Sequence, residues 1–359
     1  MSVRGCNGAT ALSDLKATTE DVRYAYRLLL GREPDPDGYR VFCDRIAKGE
    51  LGPADLAYLF FDSPEFVARN AELFQAGESI APPAPVRPCR SEACTRRKLE
   101  TSTYRYWARR LGDRPGMLHR KLWEWCYIAQ ALYERDMLQP TKRGLGFAVG
   151  REPLAALFAS RGCAIVATDL GAEQAERTGW IESNQHASDI AHLNGRGLCP
   201  PESFAEHVTF QAADMRAIPE SLRSFDFVWS SCAMEHLGGL APGLEFVRRA
   251  MDCLAPGGIA VHTTEFNCDS NSETVEDGDS VVYRRRDLEE LAIALAADGH
   301  LMEPFDFDTG DTDADRLVDE PPYDGRIHLK LRIGRFASTS FGIIIRKSAD
   351  SFGPCSVQR

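Results

Sequence analysis

The stretch Gly144–Leu170, GLGFAVGREPLAALFASRGCAIVATDL, limits the folds open to this chain more than any other. Leu145, Phe147 and Val149 alternate with small residues, as in a short buried strand. Pro153 suits the first turn of a helix, where an amide proton is not needed. Leu154, Leu157 and Phe158 form one apolar helical face, and Arg161-Gly162 closes that helix. Ala164 to Thr168 is a second apolar run, ending in Asp169. A strand, a tight turn and a helix N-terminus aim backbone N–H groups at an anion. An acid about 20 residues further on, at the next strand tip, grips ribose hydroxyls. The order describes a nucleotide-type cofactor site. The dinucleotide fingerprint G-x-G-x-x-G is incomplete, however. The turn Ala148-Val149-Gly150-Arg151-Glu152 keeps one glycine, and Gly144 and Gly146 lie inside the strand. A nicotinamide-dependent dehydrogenase is therefore disfavoured. On this stretch alone, a glycine turn between two ordinary strands stays open.

Three later signals arrive in order. Phe210 to Met215 reads as a strand ending in a second acid, Asp214. Ser224 to Ser231 reads as a further strand, followed by an amphipathic helix at Met234-Glu235-His236-Leu237. Leu254-Ala255-Pro256-Gly257-Gly258 leads into a further strand through Val261. From about Lys142 to Lys347 the chain resembles class I S-adenosylmethionine-dependent methyltransferases, in particular the group with "EH" after the fourth strand and "L-x-PGG" before the fifth. The resemblance implies an α/β fold with a seven-stranded Rossmann-like sheet, and S-adenosylmethionine as cofactor. It also implies that Phe147, Ala148, Val149 and Gly150 line the methionine part, and that Asp169 with Leu170 holds the ribose. Asp214 and Met215 would then flank the adenine, and Ser230 and Ser231 would lie under the sulfonium. The first turn departs from the family pattern: Gly146 stands where an acid is common, and Ala148 replaces a glycine.

Methyl transfer asks mainly for proximity and in-line orientation. An oxygen acceptor also loses a proton, so a general base within hydrogen-bond reach helps. His236, after the fourth strand, is the first candidate; a packing and capping role is its competing reading. His262 and Glu265, at the expected end of the fifth strand, rank second, because open α/β sheets bind ligands at strand C-terminal ends. An insertion over 171–207 carries Trp180 and His186 as candidate acceptor contacts. Arg285, in a run of three arginines, could hold a phosphate or carboxylate of the acceptor or be plain surface charge.

The first 74 residues read as a separate helical unit. Val22, Tyr26, Leu29 and Leu30 share one face, and Tyr39, Phe42, Cys43 and Ile46 a second. Leu56, Leu59 and Phe60 mark a third helix, and Ser63-Pro64 starts a fourth. Asp35 and Asp37 miss the EF-hand register, so a turn with capping acids is expected there. YRLLLGREPDPDGY with LFFDSPEF resembles a short helical module of unknown function that recurs in bacterial surface-associated and glycan-assembly proteins. That resemblance implies a docking or assembly role toward a protein partner, and a sugar or glycan precursor as methyl acceptor.

Residues 75–98 read as a proline-rich linker and 99–141 as an aromatic helical cap. Trp123, Trp125 and Tyr127 sit on its helix, expected over Met117–Leu138, either buried on the sheet or forming a lid over the acceptor. Residues 142–348 form the expected methyltransferase domain and 349–359 a tail. Among 359 residues, 43% are hydrophobic, and the net charge is −11, which argues against nucleic acid as partner. An apolar run of the roughly 18 residues that a membrane helix needs does not occur. Met1 to Thr10 shows no secretory h-region. The 11 cysteines form no C-x-x-C pair, so no metal site and a reduced, cytoplasmic setting are expected. The expected activity is O-methylation of a sugar or related small molecule; a non-catalytic scaffold that keeps the fold is the alternative.

Overall fold

The structure, a computed structural model, describes residues 16–49, 51–61, 63–69, 81–83, 85, 87–113, 116–171, 190–323 and 327–349. The chain divides into two compact units, Met1–Ala81 and Pro82–Arg359.

The described part of the first unit holds helices α1 (Thr19–Leu29), α2 (Pro36–Ala47), α3 (Pro53–Phe61) and α4 (Pro64–Arg69). Thr18 and Asp21 form a capping box on α1, and Asp35 caps α2 through the Gly38 N–H at 2.7 Å. Both satisfy amides that a helix start leaves unpaired. Val22, Tyr26 and Leu30 meet Leu56 and Phe60 in a small core, with Tyr26 edge-on to Phe60 at 4.8 Å. Asp35 thus closes a turn, as its spacing suggests.

The second unit begins with β1 (Ser91–Ala93), followed by α5 (Arg96–Leu99), α6 (Ser102–Arg110) and α7 (Arg120–Tyr133). Then come β2 (Arg143–Phe147), α8 (Leu154–Ala159), β3 (Ala164–Asp169), α9 (Pro201–His207), β4 (Val208–Ala212) and β5 (Phe225–Ser231). Met234–His236 is one 3-10 turn; α10 (Leu240–Cys253), β6 (Leu254–Asn267) and α11 (Arg285–Ala297) follow. β7 (Leu301–Met302), β8 (Phe305–Asp306), α12 (Asp313–Arg316), β9 (Val318–Asp319), β10 (Lys330–Ile333) and β11 (Phe336–Arg346) complete the order.

These strands make one mixed sheet of eleven, with the path β4-β3-β2-β5-β6-β11-β1-β8. β4 through β6 along that path are parallel, and β11 is antiparallel to β6. The seven-strand expectation is too small, because short strands lengthen the sheet beyond β11. One of them, β1, lies inside the stretch expected as linker. It pairs with β11 through Glu92 and Ala93, and Ser91 is fully buried. The helix expected at Met234 is shorter than read: Gly238 and Gly239 interrupt it, and α10 starts only at Leu240.

The chain runs outward from β2 to β3 and β4, then returns to place β5 on the other side of β2. The β2/β5 boundary is therefore a topological switch point, where open α/β sheets leave a crevice for ligands.

Candidate functional site

A cavity of about 390 Å³ opens at the C-terminal ends of β2, β3, β4 and β5, at that switch point. The turn after β2 supplies Ala148, Val149, Gly150, Arg151 and Glu152; Asp169 and Leu170 follow β3. Ala213, Asp214, Met215 and Arg216 follow β4; Ser231 ends β5, and Cys232, Ala233, His236 and Leu237 follow it. Lys121 and Trp125 reach it from α7.

The turn after β2 keeps the left-handed backbone of a glycine turn without its usual glycine count. Ala148 has φ 46° and Gly150 φ 50°. The first value carries a Cβ into a region that costs an L-residue roughly 1–2 kcal/mol. The N–H of Gly150 donates to Asp169 Oδ2 at 3.1 Å, and that of Leu170 to Asp169 Oδ1 at 2.8 Å. The acid at the tip of β3 is thereby locked against the turn, 7% exposed. Asp214 lines the cavity, but its carboxylate takes a forked contact from Arg216, Nε at 3.1 Å and Nη2 at 2.9 Å.

Gly146 sits opposite Trp229 in the β2–β5 register. A Cβ on Gly146 would lie 2.4 Å from the indole of Trp229 and 2.5 Å from Val149. The indole occupies the space of an acid at that position. Its Nε1–H donates to Glu152 Oε1 at 2.5 Å. Burial pushes the Glu152 carboxyl up to about 8, against the indole hydrogen bond and Lys121, which lower it.

Several expected site residues lie elsewhere. Phe147 is in the core, edge-on to Phe246 at 5.2 Å. Ser230 is fully buried and bonded to Nδ1 of His262 at 2.8 Å. His262 and Glu265 are not at a strand end: β6 continues to Asn267, paired with β11 throughout. His262 is fully buried against Phe246, and desolvation lowers its pKa to about 3, so its ring is uncharged near neutrality. Glu265 takes Arg120 at 2.5 Å and the Ser338 hydroxyl at 2.6 Å. Both are framework groups below the cavity rather than bases in it. Arg285 is exposed, pairs with Glu289 at 2.8 Å and covers the ring of Phe307. Trp180 and His186 lie outside the described residues.

His236 does line the cavity. Its Nδ1 faces the carbonyl oxygen of Asp279 at 2.6 Å. A carbonyl only accepts, so Nδ1 carries the proton and Nε2 is the basic nitrogen of the neutral ring.

Sequence reasoning missed Lys121, Glu152 and Cys232 as cavity walls. On helix α7, Trp123 and Tyr127 are buried and stack at 4.9 Å, while Trp125 lines the cavity. Beneath it, Glu124 is fully buried and accepts from Lys121 Nζ at 2.9 Å, Ser231 Oγ at 2.9 Å and Ser340 Oγ at 2.6 Å. Burial alone would raise the Glu124 pKa, but Lys121 and Arg120 outweigh it and bring it down to about 2. Among the described residues, Cys232, Glu235 and Glu265 place potential metal-ligating atoms within 4.8 Å of one another. Arg120 already supplies a cation to that group through Glu265.

Residues 145–262 match the family model of the methyltransferase domain. The match spans the turn, Asp169, Asp214 and His236, and it supports S-adenosylmethionine as the cofactor. The mixed α/β sheet is a methyltransferase fold over that segment. Similar solved structures include a provisionally assigned sarcosine dimethylglycine methyltransferase from Galdieria sulphuraria. It is 17% identical, with a TM-score of 0.41, over 64% of this chain and 85% of that one. Magnesium protoporphyrin IX methyltransferase from Synechocystis PCC 6803, solved with SAH bound, is 10% identical with a TM-score of 0.39. That match spans 70% of this chain and 98% of the other. No curated protein sequence matches the chain. No helix among the described residues is long and apolar enough to cross a membrane.

Proposed function

We propose that this chain transfers a methyl group from S-adenosylmethionine to a hydroxyl of a small acceptor, a sugar or glycan precursor. The observation that carries the cofactor half is the Asp169 carboxylate, held by the Gly150 N–H at the rim of the switch-point cavity. A carboxylate at the tip of the strand after the glycine turn suits a pair of ribose hydroxyls. Leu170 and Met215 offer apolar walls to an adenine ring, and the turn at 148–152 runs beside the methionine end.

When bound, S-adenosylmethionine supplies an electrophilic methyl group on a cationic sulfur. The protein orients the acceptor and takes up a proton. His236 is the base in this reading: Asp279 fixes the ring, and Nε2 accepts the hydroxyl proton as the oxygen attacks. Trp125 is an aromatic face on the same cavity, of the kind that stacks on a sugar ring. The likeness of the first unit to a module of glycan-assembly proteins favours a saccharide, and we read that unit as a docking unit for a protein partner. The absent acid at Gly146 favours one competing reading, a scaffold that keeps the fold without turnover.

Calorimetric titration with S-adenosylmethionine tests the cofactor half: one site is expected, lost in Asp169→Ala. Release of S-adenosylhomocysteine on adding sugars, nucleotide sugars or glycan fragments tests the acceptor half. A folded protein that gives no heat with either molecule sinks the enzyme reading. Binding without turnover across the acceptor panel favours the scaffold.

A further inference from the structure

The turn after β2 contains a carboxyl that the described residues leave without an ion-pair partner. Glu152 is more than nine-tenths buried, yet it lines the cavity. Among the described residues its carboxyl has one hydrogen-bond partner, the indole N–H of Trp229. The charges around it do not form a pair with it. Lys121, on α7, is committed to Glu124 at 2.9 Å, and Glu124 and Asp169 are themselves acidic. A buried acid with no counter-ion is costly unless something cationic meets it. At Gly146, six residues earlier, an acid is sterically barred by the same indole that holds Glu152.

We propose that Glu152 is the acceptor for the α-ammonium group of the cofactor's methionine part. The inference rests on the S-adenosylmethionine reading of the cavity. Asp169, one strand over, takes the ribose, and the turn carrying Glu152 lies on the far side of it from Asp214 and Met215 in the strand order. The methionine end of the ligand therefore runs toward Glu152. Trp229 positions the carboxyl by holding Oε1. The raised Glu152 pKa fits this arrangement. Before the ligand binds, Glu152 is the carboxylic acid; the ligand's ammonium favours the carboxylate, and binding releases one proton from Glu152 to solvent.

The test compares S-adenosylhomocysteine, which has the ammonium but no sulfonium, with 5′-methylthioadenosine, which has neither. Both are titrated into the full chain and into Glu152→Gln. The expected result is at least tenfold weaker binding of S-adenosylhomocysteine by the variant, with 5′-methylthioadenosine within twofold of the parent. Equal losses for both ligands, or no loss for either, overturn the proposal. A second measurement needs no variant: binding heats at pH 7 in buffers of different ionisation enthalpy count protons released. S-adenosylhomocysteine should release most of one proton and 5′-methylthioadenosine none. No difference between the two ligands overturns the proposal. If the parent binds neither ligand, the cofactor reading itself fails, a result distinct from both.

Discussion

At Glu152 burial outweighs the indole hydrogen bond, and the consequence reaches folding as well as binding. The carboxyl titrates at about 8 in the folded chain against an ordinary 4.5. Between those values the folded state keeps a proton that the unfolded state has lost. Stability therefore falls as pH rises through that window. Urea midpoints from pH 5 to 8.5 should decline in the parent, and the decline should be shallower in Glu152→Gln. His236 is a test of chemistry rather than of folding. His236→Ala should lower kcat by roughly 10²-fold or more, the ordinary worth of a positioned base, with cofactor affinity within about twofold. Steady-state rates alongside calorimetry separate the two. Ala148 offers a quieter check. Ala148→Gly removes a side chain from a φ of 46° and should leave the melting temperature unchanged or raise it, by up to about 1 kcal/mol of stability.

Helix α7 is where the sheet and the cavity are tied together. Its Glu124 is bonded to Lys121 beside it, to Ser231 on β5 and to Ser340 on β11, and Arg120 two positions before Leu122 reaches Glu265 on β6. One carboxylate thus links a helix to two strands. Glu124→Ala would leave Lys121 without its partner and two buried hydroxyls without an acceptor. The expected loss is about 3–5 kcal/mol, read from urea unfolding. Glu124→Gln keeps an acceptor and should lose less. The folded pKa of Glu124 lies near 2, below its ordinary 4.5, so its contribution is present above that ordinary value and disappears as pH falls toward 2. The helix itself was readable from aromatics and apolar spacing. Which residues it turns toward the cavity was not, because Lys121 and Trp125 take that role only once α7 lies across β5, β6 and β11.

For the chain as a whole, the division into two compact units sets the boundaries. The first unit packs Tyr26 and Phe60 together, and the second begins at Pro82. A chain starting at residue 82 should therefore keep the cofactor affinity and melting temperature of the parent's second unit. A chain starting at residue 99, the boundary suggested by composition, should melt several degrees lower. It loses β1, whose Ser91 Oγ accepts the Ile344 N–H at 3.1 Å and whose neighbour Arg90 accepts the Tyr127 hydroxyl at 2.7 Å through its carbonyl. Differential scanning calorimetry of the two truncations distinguishes these outcomes. Three residues paired between β11 and β8 have no signature in a proline-rich sequence, which is why the strand was read as linker.

What the sequence determined by itself is local. Strand, glycine turn, helix and acid-tipped strand at 144–170 follow from side-chain period and turn chemistry within a few residues. The resemblance to methyltransferases that Asp214, the EH pair and Pro256-Gly257-Gly258 carry implied the fold class. What the tertiary structure decided depends on residues far apart in the chain. Trp229 meets Gly146 only across the β2–β5 register, and that contact both bars an acid there and anchors Glu152. His262 and Glu265 looked like strand-end groups, but β6 runs on to Asn267 because β11 pairs along it, and Phe246 and Arg120 cover the two faces. Burial and partnership are sums over distant neighbours, and no window of sequence contains them.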